Sequence, residues 1–366
     1  MNKKTKPMSQ TLWPRWTLAV PLLGAATAVT SMFVQNPWFA LFMAAALMAG
    51  VLAAVHHAEV VAHRVGEPYG TLVLAIAITV IELALIVSLM LSGGAATAAL
   101  ARDTVFATIM LILNGMVGLC LLVGGSRFGE QSFAQYGVSA SLATLATIAV
   151  LTLVLPNYTL TTPGPMYSPS QLAFVAAVSL VLYGTFVLVQ TVRHRDYFLP
   201  PGAALDAEVH AERPTLKVAL GSGALLMACL VLVVVLAKSL APIIENAVAA
   251  AGAPQALVGV IIAAVVLLPE GLAAFRAARA DRLQTSLNLA LGSALASIGL
   301  TIPAVAIVSL ATGLTLSLGI DAKSTVLLML SLLVTTLSLG TGRTTVLQGV
   351  VHLVLLAVYV FTTIVP

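Results

Sequence analysis

Two glutamates stand inside long apolar runs. Glu82 lies in Ile-Thr-Val-Ile-Glu-Leu-Ala-Leu-Ile, with no basic residue in its run, and Glu270 follows Pro269 and precedes Gly271. A carboxylate in the middle of a bilayer costs about 2.5–3.5 kcal/mol on insertion scales, so each requires a partner, a water-filled cavity or a bound ion. Proline inside a span removes one backbone hydrogen bond and frees a carbonyl oxygen. Carbonyl oxygens beside a carboxylate suit a hard cation. Simpler explanations exist for both acids: a protonated Glu82 hydrogen-bonded within a bundle, and a Glu270 that marks only a kinked helix end.

Each glutamate is followed by small hydroxyl residues four apart, Thr104 and Thr108 after Glu82 and Ser293 and Ser297 after Glu270. Residues at that spacing share a helix face. They could offer oxygen to an ion, and the run Gly-Ser-Ala-Leu-Ala-Ser at 292–297 would also let two helices approach closely. The two uses are compatible, since close approach is what would bring the hydroxyls to the acids. Asn114 is a further candidate oxygen ligand, with packing as its plainer role.

A second polar cluster contains His57, Glu59, His63 and Glu67. Glu59 and His63 are one helical turn apart, which makes the group a candidate for metal binding or pH modulation at a cytoplasmic helix end. A capped, solvated helix end accounts for it equally. A zinc metalloprotease requires an adjacent His-Glu and a second His three residues beyond the Glu. Here Ala58 separates His57 from Glu59, and His63 is four further on.

The elements that must hold these residues follow from composition. Of 366 residues 60% are hydrophobic and 8% are charged, against roughly 25% charged in a soluble domain. The net charge of +4 is spread between apolar segments rather than gathered on one stripe, which excludes nucleic acid as partner. Cys120 and Cys229 lie within apolar runs and form no closely spaced metal pair. No nucleophile–base pair or full metal triad appears, so the chain is not expected to be an enzyme and no cofactor is expected.

Apolar segments fall at 16–35, 38–55, 70–92, 104–124, 136–155, 171–192, 215–238, 255–275, 284–311, 324–340 and 345–364. Each is near the ~20 residues a span needs, and long runs indicate helices rather than a barrel. The basic N-terminus ahead of the first run is expected to precede an uncleaved helix rather than a signal peptide. With the N-terminus in the cytoplasm, Lys3, Lys4, Lys6, Arg15, Arg64, Arg127, Arg193, Arg195, Arg213, Lys217, Arg276, Arg279, Arg282 and Arg343 fall inside. Only Arg102, Lys238 and Lys323 fall outside, the asymmetry expected of a multi-pass protein. Arg276, Arg279 and Arg282 would anchor the cytoplasmic interface against membrane lipid.

The longest polar stretch, 193–214, divides the chain. The expected architecture is an all-α integral membrane protein: 1–37 a cytoplasmic N-terminus and extra helix, 38–192 a five-helix repeat, 193–214 a cytoplasmic loop, and 215–366 a second repeat. Five is odd, so the two repeats enter the membrane from opposite sides. Thr104 comes 22 residues after Glu82 and Ser293 comes 23 after Glu270, a near-equality that supports the repeat.

The run Gly-Glu-Pro-Tyr-Gly at 66–70 with the preceding His-Ala-Glu and Ala-His-Arg, Pro-Glu-Gly at 269–271, Gly-Ser-Ala-Leu-Ala-Ser at 292–297 and Thr-Gly-Arg-Thr at 341–344 together form a pattern. It resembles the bacterial ChaA-type calcium/proton antiporters of the cation/calcium exchanger superfamily. The resemblance implies a ten-helix inverted-repeat core preceded by one helix, in a bacterial inner membrane. It matches Glu82 and Glu270 to the acidic residues of the two alpha-repeats and Ser293 to the hydroxyl position of the second. The superfamily usually has Gly-Asn before each glutamate, whereas Thr79-Val80-Ile81 and Val266-Leu267-Leu268-Pro269 stand here. Asp206, Glu208 and Glu212, with Asp196 near its start, are the acids of the central loop, too few for a calcium-binding regulatory segment.

The expected activity is exchange of Ca2+ for H+ by alternating access at Glu82 and Glu270. Na+/H+ or K+/H+ exchange at the same residues is the near alternative, and a passive cation channel is the alternative of another class. Cations, protons and lipid are the expected partners, and no oligomeric state is assigned.

Overall fold

The computed structural model describes residues 14–31, 37–66, 69–93, 97–199, 214–254 and 256–365. Among them, helix forms eleven segments: α1 (Arg15–Ser31), α2 (Pro37–Val65), α3 (Tyr69–Gly93), α4 (Leu100–Phe128), α5 (Gln135–Tyr158), α6 (Pro169–Arg193), α7 (Leu216–Ala250), α8 (Ala256–Arg279), α9 (Leu283–Thr312), α10 (Ala322–Leu339) and α11 (Val346–Ile364). Nine of them, among the described residues, are long and apolar enough to cross a membrane. Of the other two, α1 has 17 residues, and α3 contributes the apolar stretch Ile76–Leu91. The chain is an all-α membrane protein. Glu67, the central acids Asp206, Glu208 and Glu212, and Lys3, Lys4, Lys6 and Arg213 lie outside the described residues.

The chain divides into two compact units, Met1–Leu74 with Ala211–Leu236, and Ala75–His210 with Ala237–Pro366. In the first, α1 lies along α2. A Cβ on Gly24 would come within 2.4 Å of the Leu232 side chain, so α1 passes close to α7 at this glycine. Helix α2 does not stop near residue 55 as its apolar run suggests. The helix continues through residues 56–65 until Gly66 at φ +79 ends it.

The second unit contains both glutamates. Helix α4 packs against α8, α9 and α11, while α9 packs against α5, α6 and α8. A Cβ on Gly259 of α8 would touch the backbone of Asp103 and Thr104, and one on Gly271 would touch Met116. Contact at 259 with 103 and at 271 with 116 means that α4 and α8 run parallel, with an offset of about 155 residues.

Helices α4 and α9 run antiparallel and are tied at both ends. At the start of α4, Arg102 donates to the Gly319 carbonyl at 3.1 Å and the Ser317 N–H donates to Ala98 at 3.0 Å. Beyond the other end, Gln131 Nε2 donates to Asp281 Oδ1 at 2.8 Å, and the Ala134 N–H donates to Gln284 Oε1 at 2.6 Å. A two-residue strand β1 (Gln131–Ser132) pairs antiparallel with β2 (Arg343–Thr344), Gln131 opposite Thr344. Local signals set the remaining boundaries: a Ser168–Gln171 capping box starts α6, the Asp321 carboxylate caps the Ser324 N–H of α10, and Gly313 in the left-handed region closes α9.

Candidate functional site

Glu82 on α3 and Glu270 on α8 are both buried, 5% and 8% exposed. The serines of α9 reach one each. Ser297 donates to Glu82 Oε1 at 2.7 Å, and Ser293 donates to Glu270 Oε1 at 3.4 Å. Four residues on one helix face separate the hydroxyls by about 5–6 Å. A single face of α9 therefore spans the gap between two carboxylates contributed by different helices, and these are near enough for their charges to interact. Both serines follow Glu270 in the sequence; their division between the two acids is visible only in three dimensions.

Thr108 of α4 also lies within reach of Glu82. Thr104 is fully buried but joins neither glutamate: its hydroxyl has no hydrogen-bond partner among the described residues. Asn114 donates to Ser331 Oγ of α10 at 2.8 Å, and its Oδ1 is buried without a donor. The α4–α8 offset puts Glu270 level with 114–115, that is 270 less about 155. Glu270 Oε2 is likewise buried without a donor. A buried acceptor-only oxygen without a donor calls for a proton, water or cation.

Local backbone chemistry supports this geometry. Pro269 has no N–H for the carbonyl of Val265, four residues earlier in α8. In α4 the ladder widens to a π-turn, Leu111–Met116, which holds Asn114. π-Turns inside α-helices frequently occur at functional sites. Neither the π-turn nor Ser331 is foreseen from the sequence, where Ser331 is one hydroxyl in the apolar stretch 326–334 of α10.

The described members of the histidine cluster belong to the first unit. His57 is fully buried, and its Nε2 lies 3.5 Å from the Thr17 carbonyl. Glu59 and His63 are exposed on the same helix. Among the described residues no group of three or more His, Cys, Asp and Glu is arranged to hold a metal ion.

Comparison with known proteins agrees with this architecture. The profile of the family described as "Sodium/calcium exchanger protein" matches residues 36–192 and 221–365. The putative ionic transporter y4hA of Sinorhizobium fredii is 48% identical over 357 residues, covering 96% of this chain and 97% of that protein. The sodium-potassium/proton antiporter ChaA of Escherichia coli is 36% identical over 318 residues, covering 86% of each. In fold, the chain is similar to native YfkE, with a TM-score of 0.72 at 16% identity and coverage of 96% and 99%. It is also similar to the H+/Ca2+ exchanger CAX, with a TM-score of 0.71 at 16% identity and coverage of 94% and 87%. With a family match on both sides of the central segment, and a helical bundle that resembles solved exchangers along nearly its whole length, the chain belongs to the sodium/calcium exchanger protein family.

Proposed function

We propose that this protein is a secondary active antiporter that exchanges Ca2+ for H+ by alternating access, with Glu82 and Glu270 as the groups for which cation and protons compete. The observation that carries this reading is the bridging of two buried carboxylates by Ser293 and Ser297 on one face of α9. Two acids supply the charge that a divalent ion needs, and hydroxyl and amide oxygens supply neutral ligands. When the cation leaves, protons satisfy the same oxygens. Competition for one set of atoms couples the two fluxes without a separate proton site.

The repeat reading assigns 38–192 and 215–366 as two five-helix halves of opposite orientation, after an extra helix in 1–37 and around the loop 193–214. Helix contacts support it: α4 of the first half packs on α11 of the second, and α9 of the second packs on α6 of the first. These are exchanged pairs under a two-fold relation. Placement in a bacterial inner membrane with the N-terminus cytoplasmic rests on the basic-residue asymmetry.

Exchange of Na+ or K+ for H+ is the second reading. It is favoured by the 36% identity to a protein named as a sodium-potassium/proton antiporter. A passive cation channel would use the same acids but would move cations without protons. The test uses inverted vesicles with an imposed pH gradient, to which CaCl2, NaCl or KCl is added separately. Collapse of the gradient by calcium supports the first reading, and collapse by sodium or potassium alone supports the second. A gradient indifferent to every cation would overturn antiport.

A further inference from the structure

A buried threonine inside a helix usually satisfies its hydroxyl on its own backbone. Thr152 of α5 and Thr335 of α10, both fully buried, donate to the carbonyls four residues earlier at 2.7 and 2.6 Å. Thr301 of α9 is buried as completely, yet its hydroxyl makes no hydrogen bond among the described residues. A hydroxyl removed from water without a partner calls for a water molecule or an ion.

The direction in which Thr301 faces follows from its neighbours. A Cβ on Gly299 would come within 2.9 Å of the Tyr183 side chain, so that position faces α6. At about 100° per residue, Ser297 and Thr301 straddle the line directly opposite Gly299 and lie only about 40° apart. Ser297 is the residue that donates to Glu82 at 2.7 Å. Thr301 therefore shares the direction of the Glu82 contact, one turn nearer the C-terminal end of α9. One turn nearer the N-terminal end, Ser293 donates to Glu270. Positions 293, 297 and 301 thus form a row of hydroxyls in which the first two each hold an acid and the third is open.

From this row we propose that Thr301 is a further oxygen ligand of the transported cation, so that the ion site reaches one turn past the Ser297–Glu82 contact. The role rests on the antiport reading and adds a ligand to it. Engaged with neither acid nor backbone, Thr301 Oγ1 keeps both lone pairs for a metal ion. A calcium ion takes six to eight oxygens at about 2.3–2.6 Å, so two of its ligands stand up to about 5 Å apart. That span is close to the spacing of side chains one helical turn apart.

The test compares wild type, Thr301→Val, Thr301→Ser and, as control, Thr152→Val. Cation-dependent proton flux is measured in inverted vesicles against the concentration of CaCl2, NaCl or KCl, and the rise in melting temperature that each salt gives is measured on purified protein. Valine keeps the shape of threonine and removes the oxygen. Thr301→Val should raise the half-saturating cation concentration about three- to tenfold and shrink the cation-induced rise in melting temperature. Without cation it should melt no lower than wild type, because an unpaired buried hydroxyl has been removed. Thr301→Ser should stay within about twofold of wild type in half-saturation, and Thr152→Val should match wild type. Should Thr301→Val fail to insert, Thr301→Ala against Thr301→Ser makes the same comparison, since these two differ only in the hydroxyl. Half-saturation unchanged in the variants without the hydroxyl, or raised equally in Thr301→Ser or Thr152→Val, would overturn the ligand role while leaving antiport intact. A wild type without cation-dependent proton flux would overturn antiport itself and the role of Thr301 with it.

Discussion

Ser297 donates a 2.7 Å hydrogen bond to Glu82, a residue 215 positions earlier in the chain. One turn before it, Ser293 donates to Glu270 at 3.4 Å. One helix thereby joins an acid from each side of the central segment.

If each carboxylate both binds the cation and carries a proton, Glu82→Gln and Glu270→Gln should each abolish exchange while the protein still inserts, since the basic residues that set topology are untouched. Glu→Asp should keep part of the activity. A purely structural acid would tolerate the amide, which still hydrogen-bonds. Proton flux beside membrane abundance for the four variants distinguishes these outcomes, and near-normal flux in either Gln variant would remove that glutamate from the pathway.

The two serines should not be equivalent. Ser297 makes the shorter bond and is buried, while Ser293 makes a longer bond and is half-buried. Ser297→Ala should raise the half-saturating cation concentration by roughly three- to tenfold, a loss of about 0.7–1.4 kcal/mol, the size of a typical net hydrogen bond. Ser293→Ala should have a smaller effect. Equal losses would mean that the bond lengths do not reflect the occupied state.

The histidines of α2 should modulate rather than perform transport. Histidine titrates nearest physiological pH. Replacing His57 and His63 by Gln should shift the pH profile of exchange while maximal flux persists. Complete loss of flux in a correctly inserted double variant would move the working site toward α2.

Asp281 has φ 58 in the turn between α8 and α9, the one non-glycine residue at positive φ among the described residues, and it accepts the Gln131 hydrogen bond. Asparagine tolerates this conformation and keeps an acceptor, whereas a β-branched side chain is strained there. Asp281→Val should lower the melting temperature of the detergent-solubilised protein by several degrees, and Asp281→Asn by much less. Equal melting temperatures would show that this tie between α4 and α9 contributes little.

Much of this arrangement is legible in the sequence because a bilayer demands long apolar spans and penalises unpaired acids. Glu82 and Glu270 stand out for that reason, and the spacing of Ser293 and Ser297 places both on one face. Pairing across the bundle is not legible, because helical periodicity says which residues share a face but not what that face meets. Thus Thr104 and Thr108 look alike in sequence, yet only Thr108 reaches Glu82. The end of α2 is hidden for another reason: residues 56–65 bring polar side chains into a continuing helix, and hydropathy marks the lipid boundary rather than the helix boundary. The π-turn that holds Asn114 packs against α10 and α11, contacts that no local run of residues announces.

The central claim is that cation and proton compete for the same two carboxylates. Adding CaCl2, and separately NaCl or KCl, to purified protein in weak buffer with a pH indicator tests it directly. The wild type should release protons on binding, with apparent affinity that weakens as pH falls, by up to about tenfold per pH unit for each proton displaced. Glu82→Gln and Glu270→Gln should release fewer or none. Cation binding without proton release, or release unchanged in both variants, would contradict the account.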